Sequence, residues 1–235
     1  REDLLFGLQL GVDYVALSFV RSADDIRQIQ KFMHAHRKNI PVVAKIEKAE
    51  ALVNLQEILS VTNAVMVARG DLAVEIGTAQ VPTHQKNIIR ECRKRGIPVI
   101  TATQMLESMI HTPRPTRAEA SDVANAVLDG TDALMLSAET ASGKFPVLAV
   151  SVMHNIIYET ESRRESLNLP IENFLELQDS SIVEAIEHAT TILASSIKAK
   201  TIGCITRTGH AERALAKFRP QTPIIAFTDD VEVQR

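Results

Sequence analysis

A parallel β/α architecture is what this sequence predicts: five of the eight strands of a (β/α)8 TIM barrel over residues 1–162, a linker over 163–180, and the start of a separate α/β domain over 181–235. Three observations predict it. Five short apolar runs alternate with longer amphipathic stretches, the rhythm of βαβ units. Those runs are rich in Val, Ile, Leu and Ala with few charges before their C-terminal ends, as strands buried on both faces are. Polar residues then follow each run at once: Ser18 and Arg21, Lys45 and Glu47, Arg69 and Asp71, Thr103 and Gln104, Ser137 and Glu139. Five strands delivering polar groups to one rim is the arrangement of a barrel's active face. An open doubly wound sheet would gather them at one switch point.

Taken in order, Glu2–Leu10 reads as a helix whose own strand lies outside the sequence, so three strand–helix units of a full barrel are expected upstream. The strands are expected over Tyr14–Phe19, Val42–Ile46, Ala64–Val67, Val99–Ala102 and Ala133–Leu136. Helices are expected between and after them, over Ser22–Arg37, Glu50–Leu59, Thr83–Arg95, Arg117–Leu128 and Val147–Ser162. Ser22 is a suitable N-cap with Asp24 and Asp25 behind it, and Gly96 and Gly130 close helices ahead of the next strand. Arg163–Ser180 is polar, contains Pro170 and reads as a linker. Beyond it come helix Ile182–Lys198, strand Thr201–Ile205, helix Ala211–Phe218 and strand Ile224–Phe227.

Bulk properties narrow the function classes. Hydrophobic residues make up 45% and charged residues 23% of the 235, an ordinary globular balance. A net charge of −3 gives no basic face for nucleic acid. No apolar run approaches the roughly 20 residues that span a bilayer, and Arg1-Glu2-Asp3 is unlike a signal peptide. Cys92 and Cys204 form no metal-spacing motif and read as packing residues. A cytoplasmic protein without membrane or nucleic-acid partners is the expectation. The histidines show no ligand spacing, and Met105 and Met109 at helical spacing read as core or interface.

Lys45-Ile46-Glu47 ends the second strand, and residues i and i+2 of a strand point to one side. Lys45 and Glu47 can therefore share a pocket. Oxygen ligands such as Glu47 and Asp71 suit Mg²⁺, which takes one or two protein carboxylates and fills its shell with water and substrate oxygens. Gly70 admits close backbone approach, and a helix starting there would offer N–H groups to an anion. On spacing alone a second reading stands beside this one: a Lys–Glu ion pair and a helix-capping Asp.

Longer motifs extend the constellation. Val42-Val43-Ala44-Lys45-Ile46-Glu47-Lys48-Ala49-Glu50-Ala51-Leu52, Ala68-Arg69-Gly70-Asp71-Leu72 and Thr101-Ala102-Thr103-Gln104-Met105-Leu106-Glu107-Ser108-Met109 come first. Arg114-Pro115-Thr116-Arg117-Ala118-Glu119-Ala120-Ser121-Asp122-Val123-Ala124-Asn125-Ala126-Val127 and Met135-Leu136-Ser137-Ala138-Glu139-Thr140 follow. In order and over nearly the whole chain, this series resembles the pyruvate kinase family. The resemblance implies transfer of a phosphoryl group from phosphoenolpyruvate to ADP, giving pyruvate and ATP, in glycolysis. It implies that Glu47 and Asp71 hold Mg²⁺ (or Mn²⁺) and that Lys45 lies along the transferring phosphoryl group. By it, Gly70 and Asp71 bind the substrate carboxylate through backbone N–H groups, with Arg69 bracing the loop. Thr103 would sit beside the carbon that is protonated, and Ser137 and Glu139 would orient a water chain.

The same resemblance implies a K⁺-dependent, allosteric homotetramer whose K⁺ and nucleotide contacts and lid domain lie outside this sequence. The chain is then expected to be inactive or weakly active alone. Thr206, Thr208, Gly209 and His210 follow a strand and open a helix, a candidate phosphate site for a sugar-phosphate or nucleotide effector. His210 and Ala211 depart from the family's richer pattern, and an ordinary strand–helix turn is the alternative. Two other readings of the whole chain remain: a different metal-dependent barrel acting on phosphoenolpyruvate or pyruvate, and a non-catalytic effector-binding or assembly piece.

Overall fold

The computed structural model describes residues 1–163 and 181–234, and the expected linker falls almost wholly outside them. Two compact units are present, one over residues 1–93 and 97–169, the other over 94–96 and 170–235. The first holds β1 (Val15–Leu17), β2 (Val42–Ile46), β3 (Ala64–Ala68), β4 (Val99–Ala102) and β5 (Ala133–Met135), all parallel and ordered β1-β2-β3-β4-β5. Around them lie α1 (Glu2–Leu10), α2 (Ala23–Ala35), α3 (Ala49–Val53), α4 (Leu55–Leu59), α5 (Arg69–Ile76), α6 (Val81–Lys94), α7 (Arg117–Asp129), α8 (Ala138–Ala141) and α9 (Pro146–Ser162), with a 3₁₀ turn over Glu107–Ile110. The second has α10 (Ile182–Ser196), β6 (Ile202–Ile205), α11 (His210–Ala216), β7 (Ile224–Phe227) and α12 (Val231–Gln234), with β6 and β7 parallel.

Period-two alternation sorts the strand residues onto two buried faces. Val42, Ala44, Ile46, Val65, Val67 and Val99 pack with Ile26, Met33, Ile58, Ile88 and Ile89 from the helices. Val43, Ala64, Met66 and Ala102 form a separate inner cluster with Ile100 and Met135. Lys45 has the parity of Val43, so it and Glu47 emerge on the inner side at the C-terminal rim. Met105, Leu106 and Met109 belong to a third cluster with Val123, Ala126, Ala149 and Met153, which makes the two methionines core residues. Ala194, Ile202 and Leu215 form the small core of the second unit. Among the described residues no helix is long and apolar enough to cross a membrane.

Three expected boundaries shift for physical reasons. The helix expected over Glu50–Leu59 is two helices, α3 and α4, divided at Asn54, whose Nδ2 donates to the Arg21 carbonyl at 2.9 Å. β1 is shorter than expected because it pairs only with β2, and Phe19 then turns the chain with φ of 56°. The loop after β3 is helical from Arg69 onward. α2 begins as expected, with the Asp25 carboxylate accepting from the Ser22 and Arg21 N–H groups at 3.0 and 2.8 Å.

An internal repetition fixes the strand starts. Ile40-Pro41-Val42 opens β2 and Ile97-Pro98-Val99 opens β4, while Thr62-Asn63-Ala64 opens β3 and Thr131-Asp132-Ala133 opens β5. Asn63 Oδ1 accepts from Val42 N at 2.9 Å, and Asp132 Oδ2 accepts from Val99 N at 2.8 Å. Thr62 and Thr131 place their hydroxyls 3.0 Å from the Val42 and Val99 carbonyls. Pro41 and Pro98, which cannot donate, sit where a strand begins and offer their carbonyls to Val15 N and Val65 N.

α7 is tied to the loop after β4 by one carboxylate. Glu119 closes a capping box with Thr116 and accepts from Ser108 N at 2.7 Å and Ser108 Oγ at 2.6 Å. Burial acts to raise the Glu119 carboxyl, but the Ser108 and Thr116 donors outweigh it and hold the group below its ordinary value. Burial, and then the Glu212 carboxylate, push the Cys204 thiol up, and Cys92 is buried. Cys204 therefore lacks the lowered pKa of a reactive thiolate.

Glu119→Gln is expected to destabilise the fold by about 1–3 kcal/mol at neutral pH, the value of charged hydrogen bonds and a cap. Urea unfolding midpoints measure it. Because the folded carboxyl lies below its unfolded value, this stabilisation is present above the unfolded pKa and lost as pH falls through the folded one. The gap between wild type and Glu119→Gln therefore closes in acid. A gap independent of pH would contradict the role given to the charge.

Candidate active site

At the rim of β1 and β2, Glu47 is 1% exposed and both of its oxygens are taken. Oε1 lies 2.6 Å from Lys45 Nζ, and Oε2 accepts from Phe19 N at 2.6 Å. Lys45 Nζ also donates to Ser18 Oγ at 3.0 Å. A buried carboxylate needs a counter-charge and hydrogen bonds, and it has both. The left-handed backbone at Phe19 brings that residue to the carboxylate, and Lys48 Nζ lies 5.6 Å from the Phe19 ring centre while pairing with Glu75 at 2.6 Å. Lys45 and Glu47 are thus adjacent, partly open to solvent on the lysine side.

At the rim of β3 and β4, Gly70 N donates to Thr103 Oγ1 at 2.8 Å, and Thr103 Oγ1 donates to the Ala102 carbonyl at 2.7 Å. Asp71 stands in the first turn of α5 with its residue exposed. Arg69 is 9% exposed and reaches across to the loop after β4. Its Nη2 donates to the Thr103 and Gln104 carbonyls at 2.7 and 3.1 Å, its Nε to the Thr103 carbonyl at 3.2 Å, and its Nη1 to Asp122 at 2.6 Å. Thr103 and Gln104 are consecutive left-handed residues, with φ of 70° and 54°. Each such residue costs about 1–2 kcal/mol, whereas a hydrogen bond from a charged donor contributes about 1.5–3 kcal/mol. The guanidinium therefore outweighs the backbone cost.

At the rim of β4 and β5, Glu139 is 2% exposed. It accepts from Leu106 N at 3.1 Å and from Ser137 N at 2.8 Å, joining the two loops. Sequence reasoning placed Glu139 at the rim but not its grip on Leu106, and it gave no role to Asp122 or Phe19. Helical spacing was the available signal for Asp122: it lies three residues beyond the capping-box Glu119, on the face turned to the β4 loop.

In the second unit, Thr206 is buried and its Oγ1 accepts from Gly209 N at 3.0 Å. Arg213 donates to the Thr208 carbonyl at 3.0 Å, and His210 is exposed at the start of α11. This loop is closed largely on itself.

Among the described residues no group of three or more His, Cys, Asp or Glu side chains is arranged to hold a metal. Glu47 and Asp71 are the two rim carboxylates that the sequence offered as cation ligands. They stand at the ends of neighbouring parallel strands, one buried and one exposed. That donor set fits Mg²⁺, which completes its shell with water and substrate oxygens.

Comparison with known proteins bears on what such a rim does. A family model described as the pyruvate kinase barrel domain matches residues 1–150, and one described as the pyruvate kinase alpha/beta domain matches residues 184–235. "Pyruvate kinase 2" of Synechocystis sp. is 52% identical over 235 residues, covering 100% of this chain and 39% of its own length. "Pyruvate kinase" of Geobacillus stearothermophilus is 47% identical over 236 residues, covering 100% of this chain and 40% of its own. "Pyruvate kinase" of Clostridium perfringens is 46% identical over 242 residues, covering 100% and 50%. The chain spans about two fifths to half of the length of these relatives. With both family domains matched in order and the motifs of the rim on consecutive parallel strands, the chain belongs to the pyruvate kinase family.

Proposed function

We propose that this rim carries the phosphoenolpyruvate and divalent-metal half of a site that transfers a phosphoryl group to ADP, yielding pyruvate and ATP. The observation that carries the reading is the Lys45–Glu47 pair on the inner side of β2, beside the Gly70–Thr103 contact on β3 and β4. Membership of the pyruvate kinase family supports it.

Each residue has work that its surroundings suit. The Lys45 ammonium, held by Glu47 and Ser18, is a pre-placed positive charge for the phosphoryl oxygens as the bond to the enol oxygen breaks and the bond to ADP forms. Glu47 and Asp71 would hold Mg²⁺ or Mn²⁺, which when bound supplies positive charge to phosphate and enolate oxygens. Gly70 N–H now donates to Thr103 Oγ1. A substrate carboxylate taking that N–H would free a lone pair on Thr103 Oγ1, whose O–H donates to the Ala102 carbonyl, and would leave the hydroxyl beside the carbon that gains a proton as enolate becomes ketone. Glu139 fixes the Ser137 backbone, which keeps the Ser137 hydroxyl at the rim for a water chain.

The sheet is open at β1 and β5, which do not pair with each other. We infer that residues 1–235 alone turn over weakly or not at all. Nucleotide and K⁺ contacts, the homotetramer, a cytoplasmic location and any effector at Thr206–His210 belong to the full-length protein in this reading.

Lys45→Met in the full-length protein is expected to lower kcat by about 10²–10³-fold, the cost of one pre-placed electrostatic group. The KM for phosphoenolpyruvate should change far less, and coupled pyruvate-formation kinetics measure both. Near wild-type kcat would sink the role of Lys45. Glu47→Gln should weaken Mn²⁺ binding by at least the roughly 10–100-fold typical of losing a group that merely supports a metal ligand. Titration followed by electron paramagnetic resonance reads it, and unchanged affinity would remove Glu47 from the metal site.

A further inference from the structure

We propose that Asp122, on α7, is a positioning residue for the loop that carries Thr103, acting through Arg69. The inference rests on the reading of the rim given above. Asp122 is 53 residues from Arg69 in sequence, yet its Oδ2 lies 2.6 Å from Arg69 Nη1. Nε and Nη2 of the same planar guanidinium hold the Thr103 carbonyl, and Nη2 also donates to the Gln104 carbonyl and lies 2.9 Å from Met105 Sδ. A rigid fork fixed at one edge is fixed at the other. Asp122 therefore sets where Arg69 presents its donors.

What Arg69 holds needs holding. Two consecutive non-glycine residues in the left-handed region are rare, and Thr103 is β-branched, the least suited type. Such backbone persists only where surrounding structure over-determines it, and it gathers at functional sites. Here it turns both carbonyls onto Arg69 and places Thr103 Oγ1 on Gly70 N. Without Asp122 the buried guanidinium loses its counter-charge and its orientation. The loop then relaxes toward ordinary backbone angles, which carries the Thr103 hydroxyl away from Gly70. α7 thus steadies this loop at two points, Glu119 on Ser108 and Asp122 on Arg69.

The test uses the full-length protein with Asp122→Ala and the milder Asp122→Asn, each with and without Gln104→Gly. Glycine adopts left-handed angles without help, so it should rescue a loop that has lost its clamp. Asp122→Ala is expected to lower kcat by about 10–100-fold, the scale of a small misplacement of a reacting group, with KM for ADP nearly unchanged. Gln104→Gly in that background should recover at least several-fold. Folded Asp122 variants with wild-type kcat would overturn the proposal. So would a loss of rate that follows the unfolded fraction and is not recovered by Gln104→Gly. Amide exchange gives a readout independent of turnover: the Gly70 N–H should exchange faster in both Asp122 variants, and unchanged protection would also overturn it. Should the wild type make no pyruvate from phosphoenolpyruvate, the functional reading fails by itself, and the Gly70 amide still decides the clamp.

Discussion

The Lys45–Glu47 ion pair stands where it does because β2 and β3 are covered on both faces. A charge placed earlier along either strand would be buried without a partner, a cost of several kcal/mol or more. Val42, Val43, Ala44 and Ile46 are accordingly apolar and buried, as is every residue of β3. Charge is admitted only as the strand leaves the sheet, and parallel strands all leave at the same end. The clustering of Lys45, Glu47, Arg69, Asp71, Thr103 and Glu139 on one rim follows from that constraint before any chemistry is considered.

Once there, the loops are held mainly by carboxylates and amide or carboxylate side chains that accept backbone N–H groups. Glu47 takes Phe19, Glu139 takes Leu106 and Ser137, Glu119 takes Ser108 and Thr116, and Asp25 takes Arg21 and Ser22. Asn63 and Asp132 do the same at the opposite end of the sheet. A carboxylate offers several lone pairs and suits a turn whose N–H groups have no ladder partner. Arg69 is the complementary device: its Nε and Nη2 donate to the Thr103 and Gln104 carbonyls of the left-handed turn, and its Nη1 to Asp122. Acids and one buried arginine thus give the rim its shape, with Lys45 held between Glu47 and Ser18 and partly open to solvent.

Much of this was legible from residues alone. The alternation of apolar runs with amphipathic stretches marked all five strands of the first sheet and both of the second. Burial on two faces leaves that compositional trace in β2, β3 and β4, whereas β1, β5, β6 and β7 carry it although partly exposed. The rim residues were legible too, since a polar group following an apolar run needs no knowledge of the rest of the chain. Local rules failed where a distant contact intervened. Glu50–Leu59 looked like one helix, and only the reach of Asn54 to the Arg21 carbonyl explains the break. The repeated openings Ile-Pro-Val and Thr-Asn/Asp-Ala are visible in sequence, but their meaning appears only when each Asn or Asp is seen on the neighbouring strand's first N–H.

By itself, the sequence determined the fold class, the end of the sheet at which polar residues gather, and the family to which the motifs belong. Tertiary structure alone decided which partner each polar group takes. Glu47 could have met a metal, a lysine or a backbone N–H. The fold gives it Lys45 and Phe19, the latter 28 residues away. Arg69 could have braced its own loop, and the fold sends it to Thr103, Gln104 and Asp122. The physical reason is range: burial and alternation are properties of a few neighbouring residues, whereas an ion pair or a clamp exists only once the sheet has brought distant segments side by side.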